Sequence, residues 1–392
     1  MYILFIGRIV SAMGSLVWSM MTLILSGKLN FTPTMIATVT IILSALSIPV
    51  SLLGGFLSDR FSRKKLIIIC DLFSVGLYYL IGVREFAISS LFLFAAAALF
   101  QFAEDPAYTS LVADLSSADN REKAYSLTYL GTNLGMVLSP TLGGILYKNH
   151  LGLLFIINGS SILISTILIL FFIKDVKGNN EGNIYEKEIG EASILPYLKA
   201  HKTIFLYIAA CFIYEGVYGM YGYLLPLELE RQYLDLGSII YGTMSSLNCL
   251  VVIIFTSLIT RYFFKTRDTI KQLLGTSLVV LGLFVFRTFI DLPFMPYVAI
   301  IIFTWGEIFS AISSRPYITR RIPANYRGRL ISVISIATMT GSSCSIFLTG
   351  RIYDSFGSLM AWVYVMGLGL IGIIINLLVI RLDKTEYLNL YK

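Results

Sequence analysis

Four carboxylic acids lie deepest in the apolar runs of this chain: Glu104 and Asp105 in FQFAEDPAY, Glu215 in FIYEGVYGMY and Glu307 in FTWGEIFSA. An acid held away from water must be neutralised by a proton, a cationic side chain or a cationic ligand, and exchanging one neutraliser for another is a transport chemistry. Arg8, Ser11, Ser15, Trp18 and Thr22 recur at helical spacing and form one polar stripe. Tyr214, Tyr218, Tyr221 and Tyr223 surround Glu215 with aromatic surface suited to an apolar or cationic ligand. Each group also has a structural alternative. The acids can pair with Arg8, Arg287 or Arg315 or bond a tyrosine; Arg8 can snorkel to the membrane surface; the tyrosines can serve packing alone, with Tyr223 in an interfacial belt.

The elements that must hold these groups follow from composition. Of 392 residues, 56% are hydrophobic and only 14% charged, and the mean hydropathy is +0.79. A soluble domain has roughly 45–50% apolar and 25% charged residues, so this is a membrane composition. The net charge of +7 then marks cytoplasmic loops beside an anionic leaflet, and nucleic acid is not an expected partner. His150 and His201 fall in loops, and Cys70, Cys211, Cys249 and Cys344 are scattered without paired spacing, so no metal, disulfide or redox chemistry is expected. No Gly-x-x-x-x-Gly-Lys-Ser/Thr loop occurs, which leaves an ion gradient or passive exchange as the energy source, with no cofactor.

A spanning helix needs about 20 apolar residues. Such segments fall at 3–26, 34–57, 66–83, 88–113, 124–147, 151–173, 203–226, 238–260, 270–290, 294–316, 328–350 and 358–381. The expected fold is therefore all-α, with about twelve transmembrane helices in two six-helix halves. The halves are residues 1–173 and 203–392, joined by a polar cytoplasmic linker over 174–202. Lys and Arg concentrate after spans two, four, six, eight and ten, which puts those connections and both termini in the cytoplasm.

Between the second and third spans the sequence GGFLSDRFSRKK resembles the loop motif of the major facilitator superfamily, Gly-x-Leu-Ala/Ser-Asp-Arg-x-Gly-Arg-Lys. Gly55, Leu57, Ser58, Asp59, Arg60, Arg63 and Lys64 match it, and Ser62 stands where the family has Gly. The resemblance implies a gating latch: Asp59 against the helix opening near Gly328, and Arg63 paired with Asp114. A carboxylate suits a helix N-terminus and an Arg–carboxylate pair can be bidentate. The fifth span resembles the family's antiporter motif of spaced glycines, with Gly135, Pro140, Gly143 and Gly144 matching and Ser126 and Ser139 in place of glycines. The family also implies that spans four, seven and ten line a central cavity. Its proton-coupled drug exporters carry an Arg in the fourth helix, where this sequence has Gln101 and two acids.

The reading that follows from the resemblance is a secondary transporter, not an enzyme, similar to the drug:proton antiporters. It would export amphipathic or cationic small molecules against protons by alternating access. Glu104, Asp105, Glu215 and Glu307, with Arg8, Trp18 and Tyr218, are the expected proton- and substrate-binding residues. The expected partners are a small-molecule substrate, protons and the bilayer of the cell membrane, around a monomer. Proton-coupled uptake of a metabolite and lipid translocation are the alternatives within transport; a membrane-embedded enzyme or a sensor is the alternative of a different class.

Overall fold

The computed structural model describes residues 2–116, 121–173, 201–322 and 324–390, without the side chains of Asp59, residues 121–126, Arg315, Thr319, residues 324–329 and Leu390. The linker expected over 174–202 lies almost wholly outside the described residues, as do the side chains of Ser126 and Asp59 and the latch partner Gly328. The described chain is helical with no strand. The first eight helices are α1 (Tyr2–Met13), α2 (Leu16–Leu23), α3 (Pro33–Arg60), α4 (Arg63–Gly82), α5 (Ile88–Asp114), α6 (Arg121–Met136), α7 (Ser139–Tyr147) and α8 (Leu151–Phe172). The others are α9 (Lys202–Tyr218), α10 (Met220–Tyr233), α11 (Gly237–Tyr262), α12 (Asp268–Phe289), α13 (Met295–Arg321), α14 (Ala324–Phe356) and α15 (Ser358–Glu386).

Ten helical stretches among the described residues are long and apolar enough to cross a bilayer, and the protein is a multi-pass membrane protein. One of them, Lys202–Tyr262, holds α9, α10 and α11 and covers two expected spans. The fifth expected span is divided between α6 and α7. Large apolar side chains face outward along these helices, among them Leu52 and Phe56 on α3, Phe171 and Phe172 on α8, and Leu370 and Ile371 on α15. In water such a surface would drive association; in hydrocarbon it is the correct solvent-facing side.

Three expected spans are interrupted. Between α1 and α2 the chain passes Gly14, where a Cβ would run into the Ser161 side chain of α8. Between α6 and α7 it breaks just before Pro140, which lacks the amide hydrogen an uninterrupted helix would need. Between α9 and α10 the break is at Gly219, packed against Ser342 of α14.

Two compact units make up the chain. The first holds residues 1–31, 38–181 and 226–253, and the second holds residues 32–37, 182–225 and 254–392. In the first unit α4 packs on α5 and α8, α1 on α6 and α8, and α2 on α7. In the second α12 packs on α13 and α15, and α9 on α14 and α15. Each unit has an apolar core at corresponding helix ends. Leu4, Ile67, Tyr108, Leu111 and Ile169 form one, and Ile204, Tyr207, Tyr317, Leu330 and Val379 form the other.

Candidate functional site

The first unit holds an open cavity of about 700 Å³, within the usual size of a small-molecule site. The break between α1 and α2 shapes one wall. There the backbone amide of Val17 donates to Asn158 Oδ1 on α8 at 3.3 Å. The polar stripe of the first span lines this wall through Arg8, Ser11, Ser15 and Trp18. Trp18 Nε1 donates to Gln101 Oε1 at 3.2 Å, and its ring meets Phe94 edge-on at 5.2 Å. Arg8 Nε donates to Thr132 Oγ1 at 3.1 Å while its guanidinium lies over the Tyr108 ring at 5.1 Å. The Arg8 side chain is thus held in place from two sides.

Glu104 and Asp105 enter the same cavity from α5. A third acid, Asp71 on α4, joins them and is only 5% exposed. The Thr166 hydroxyl donates to Asp71 Oδ2 at 2.6 Å. The charge of Arg8 acts on both Asp71 and Glu104. The sequence signal for Asp71 is the one that identified the other acids, an ionisable residue in an apolar run.

Glu215, Glu307 and Tyr218 belong to the second unit. Tyr218 stacks on Tyr214 at 5.9 Å and on Phe303 at 5.3 Å, and Tyr221 stacks on Phe303 at 5.5 Å. Glu307, on α13, acts electrostatically on Glu215 and on Tyr214 and Tyr218, all on α9. The structure thus groups the seven expected binding residues into two sets, Arg8, Trp18, Glu104 and Asp105 in one unit and Glu215, Tyr218 and Glu307 in the other.

In the loop motif, Arg63 forms an ion pair with Asp114 and donates to the Ser110 carbonyl at 3.2 Å. Lys64 donates to the Leu170 and Ile173 carbonyls at 2.7 and 2.6 Å, satisfying the end of α8. Ser62, in place of the family's Gly, has φ −63° and accepts from the Lys65 amide at 3.2 Å, so it caps α4 where a glycine could not. Arg60 is exposed with its guanidinium over the Phe56 ring at 4.2 Å. Gly55 has ordinary space around it, whereas Gly54 sits directly on the Ala103 carbonyl of α5. The close approach of α3 to the helix that carries Glu104 therefore depends on Gly54, one residue before the motif glycine.

The glycines of the fifth span make three separate contacts. Gly135 lies against the α1 backbone at Ile9, Gly143 against Met20 of α2, and Gly144 against the Ser238 carbonyl of α11. Pro140 presents its carbonyl to Gly242, and Thr141 Oγ1 is 2.7 Å from Ser246 Oγ.

Residues 3–343 match the Major Facilitator Superfamily. The chain belongs to that superfamily. Among its superfamily relatives are the uncharacterized transporter YqjV of Bacillus subtilis, 23% identical with 80% of this chain and 76% of the relative covered, and a Na(+), Li(+), K(+)/H(+) antiporter of Planococcus maritimus, 21% identical with 77% of each chain covered. Multidrug resistance protein 2 of Bacillus subtilis is 24% identical, with 80% of this chain and 79% of that protein covered. A crystal structure of a peptide transporter of the POT type superposes with a TM-score of 0.80 at 15% identity, covering 98% of this chain and 94% of the other. A bacterial homologue of the human lysosomal transporter Spinster gives 0.73 at 14% identity, covering 97% and 96%. At these identities the structural likeness speaks for the fold. As a member of the superfamily the protein is a secondary transporter.

Proposed function

We propose that the protein is a proton-coupled exporter of cationic or amphipathic small molecules in the cell membrane, with both termini in the cytoplasm. The observation that carries this reading is the charge balance of the first-unit cavity: Asp71, Glu104 and Asp105 face one arginine, Arg8. Three carboxylates against one guanidinium leave a deficit that protons or a cation must fill, and a carboxylate left bare in a membrane interior is costly. Trp18, Phe102 and Tyr108 supply aromatic surface beside those acids, which suits a lipophilic cation. Glu307 and Glu215, among the tyrosines of the second unit, are the second acid group available for coupling. The relative named Multidrug resistance protein 2 agrees with this substrate class.

One observation favours a second reading. A cavity with three acids, with a Na(+), Li(+), K(+)/H(+) antiporter among the relatives, also suits exchange of an alkali cation for protons. The same assay separates the two. Proteoliposomes carrying an imposed pH gradient are expected to move tetraphenylphosphonium, and Glu104→Gln and Glu307→Gln are each expected to slow this about tenfold or more, the effect of losing a typical coupling free energy. Sodium- or potassium-driven proton flux without phosphonium transport would favour the second reading. Wild-type rates in both variants would overturn proton coupling through these acids.

A further inference from the structure

We propose that Glu230 is a proton site outside the cavity: its protonated carboxyl completes a tie through Tyr147 to the Leu23 carbonyl, and its ionisation undoes that tie. This rests on the transport reading and orientation above and adds to them a proton-controlled gate on the side away from the cytoplasm.

A tyrosine hydroxyl carries a single hydrogen. The Tyr147 hydroxyl, buried at the end of α7, lies 2.7 Å from the Leu23 carbonyl at the end of α2 and 3.0 Å from Glu230 Oε1 on α10. With Glu230 ionised, both oxygens only accept, so one hydrogen faces two acceptors and one contact is left without a proton. A protonated Glu230 removes the conflict: its O–H donates to the Tyr147 oxygen, and the Tyr147 O–H donates to Leu23. The two distances fit this order. A hydroxyl draws in to about 2.5–2.7 Å on a carboxylate, whereas uncharged hydroxyl pairs range up to about 3.0 Å.

The surroundings are shaped for the contact. Leu23 leads into a π-helical turn, Ile24–Lys28, a departure from α geometry that is frequent at functional sites. A Cβ at Gly27 in that turn would run into the Tyr147 hydroxyl and Glu230 Oε1, so the missing side chain is what admits them. Glu230 itself is only partly buried, which gives its proton access to water. Lys28 holds its ammonium 5.2 Å from the centre of the Tyr147 ring and donates to the Lys148 carbonyl at 3.0 Å. Its positive charge favours an ionised Glu230 and the hydrogen count a neutral one, the opposition a switch needs. Lys148 is paired with Asp235 beyond α10, Glu228 and Arg231 share α10 with Glu230, and His150 stands exposed at the start of α8. Among the described residues Glu230 forms no ion pair.

Residues 226–253 follow the linker in sequence yet belong to the first unit, with α2 and α7. The tie thus joins segments of the two expected halves, at the far end of the first span from the core around Leu4. Under alternating access such a contact has to part when the cavity opens to that side. Closing it takes up a proton, so acid favours the closed contact and alkali releases it.

The test uses the full-length protein in lipid nanodiscs, freed of its four cysteines and carrying pyrene at Asn149→Cys and Leu236→Cys, exposed neighbours of the Lys148–Asp235 pair. Excimer emission, which reports that the two segments are together, is expected to rise as pH falls. The closed-to-open ratio changes by up to about tenfold per pH unit, the slope of one proton. Glu230→Gln, whose amide donates to Tyr147 at every pH, is expected to hold the emission high without titration, and Tyr147→Phe to leave it low without titration. His150→Gln is expected to keep the titration. A wild type that does not titrate, a titration that survives in Glu230→Gln, or one that His150→Gln abolishes overturns the assignment. In proteoliposomes Glu230→Gln is expected to slow tetraphenylphosphonium export about tenfold or more. A wild type that titrates through Glu230 but moves no phosphonium overturns the export reading and leaves the proton site standing.

Discussion

The two units carry charged clusters at corresponding places, and the signs are reversed. In the first unit, Arg63 opens α4 and Asp114 closes α5, and the two form an ion pair with side chains 16% and 13% exposed. In the second, Asp268 opens α12 and Arg320 and Arg321 close α13. Arg320 donates to Asp268 Oδ2 at 3.1 Å, and Arg321 makes a bidentate pair with Asp383 of α15 at 2.6 and 2.8 Å. A helix favours an acid at its start and a base at its end. The second-unit cluster obeys this at both helices, and the first-unit pair violates it at both. The second-unit cluster is also drier, with Asp383 fully buried and Asp268 3% exposed. Burial works to lower the Arg321 pKa, but the hydrogen bonds and charge of Asp383 outweigh it and hold the guanidinium above its usual range. One cluster is a fixed tie among three helices. The other holds through its own attraction and the bond of Arg63 to the Ser110 carbonyl, against the helix ends on which it sits.

The strongest way to break this contrast is Asp383→Ala. It leaves Arg321 in a dry site with Asp268, 3.5 Å away, as its remaining carboxylate, and loss of one partner of a buried pair costs about 3–5 kcal/mol. Thermal unfolding in detergent is expected to show the largest loss here; a change no larger than that of a surface variant would show that the cluster ties nothing. Arg63→Ala is expected to cost less, about 1–2 kcal/mol, because its pair is partly exposed and its loss also relieves an adverse helix end. Sharpening the contrast needs the exchange Arg63→Asp with Asp114→Arg. Each reversed charge then sits at its preferred helix end, worth about 0.3–1 kcal/mol apiece. The double variant is expected to be no less stable than the wild type while turning over more slowly in proteoliposomes. If it unfolds as early as Arg63→Ala, groups outside the pair fix the wild-type orientation.

Much of the fold was legible because a helix that crosses hydrocarbon must be long and apolar, and that pattern survives without any alignment. The breaks were not legible. Gly14 and Gly219 interrupt their helices where another helix comes too close for a side chain, and that closeness is a tertiary fact. The break before Pro140 had a visible cause, but proline in a membrane helix signals a bend as readily as an interruption. The acids Glu104 and Asp105 were legible as costly residues in apolar runs. Asp71 obeys the same rule, being an ionisable residue inside the expected span 66–83, and it is not among the residues expected at the site. Gly54 stood beside a glycine that matched a motif, and only the position of Ala103 shows which of the two is constrained.

The seam between α7 and α11 has a consequence for the speed at which such a contact can be made. Gly144 lies on the Ser238 carbonyl and Gly242 on the Pro140 carbonyl, with the Ser238 hydroxyl donating to the Gly144 carbonyl at 3.0 Å. The groups that meet are backbone atoms and short hydroxyls, which have almost no rotamers to surrender. Burying a long side chain costs up to about 2 kcal/mol of conformational freedom, and glycine and alanine cost essentially none. Forming this seam therefore requires no search among side-chain conformations, and releasing it recovers no such freedom. Its lifetime is governed by the exchange of a few hydrogen bonds and by close backbone packing, which a single added methyl at Gly144 would prevent.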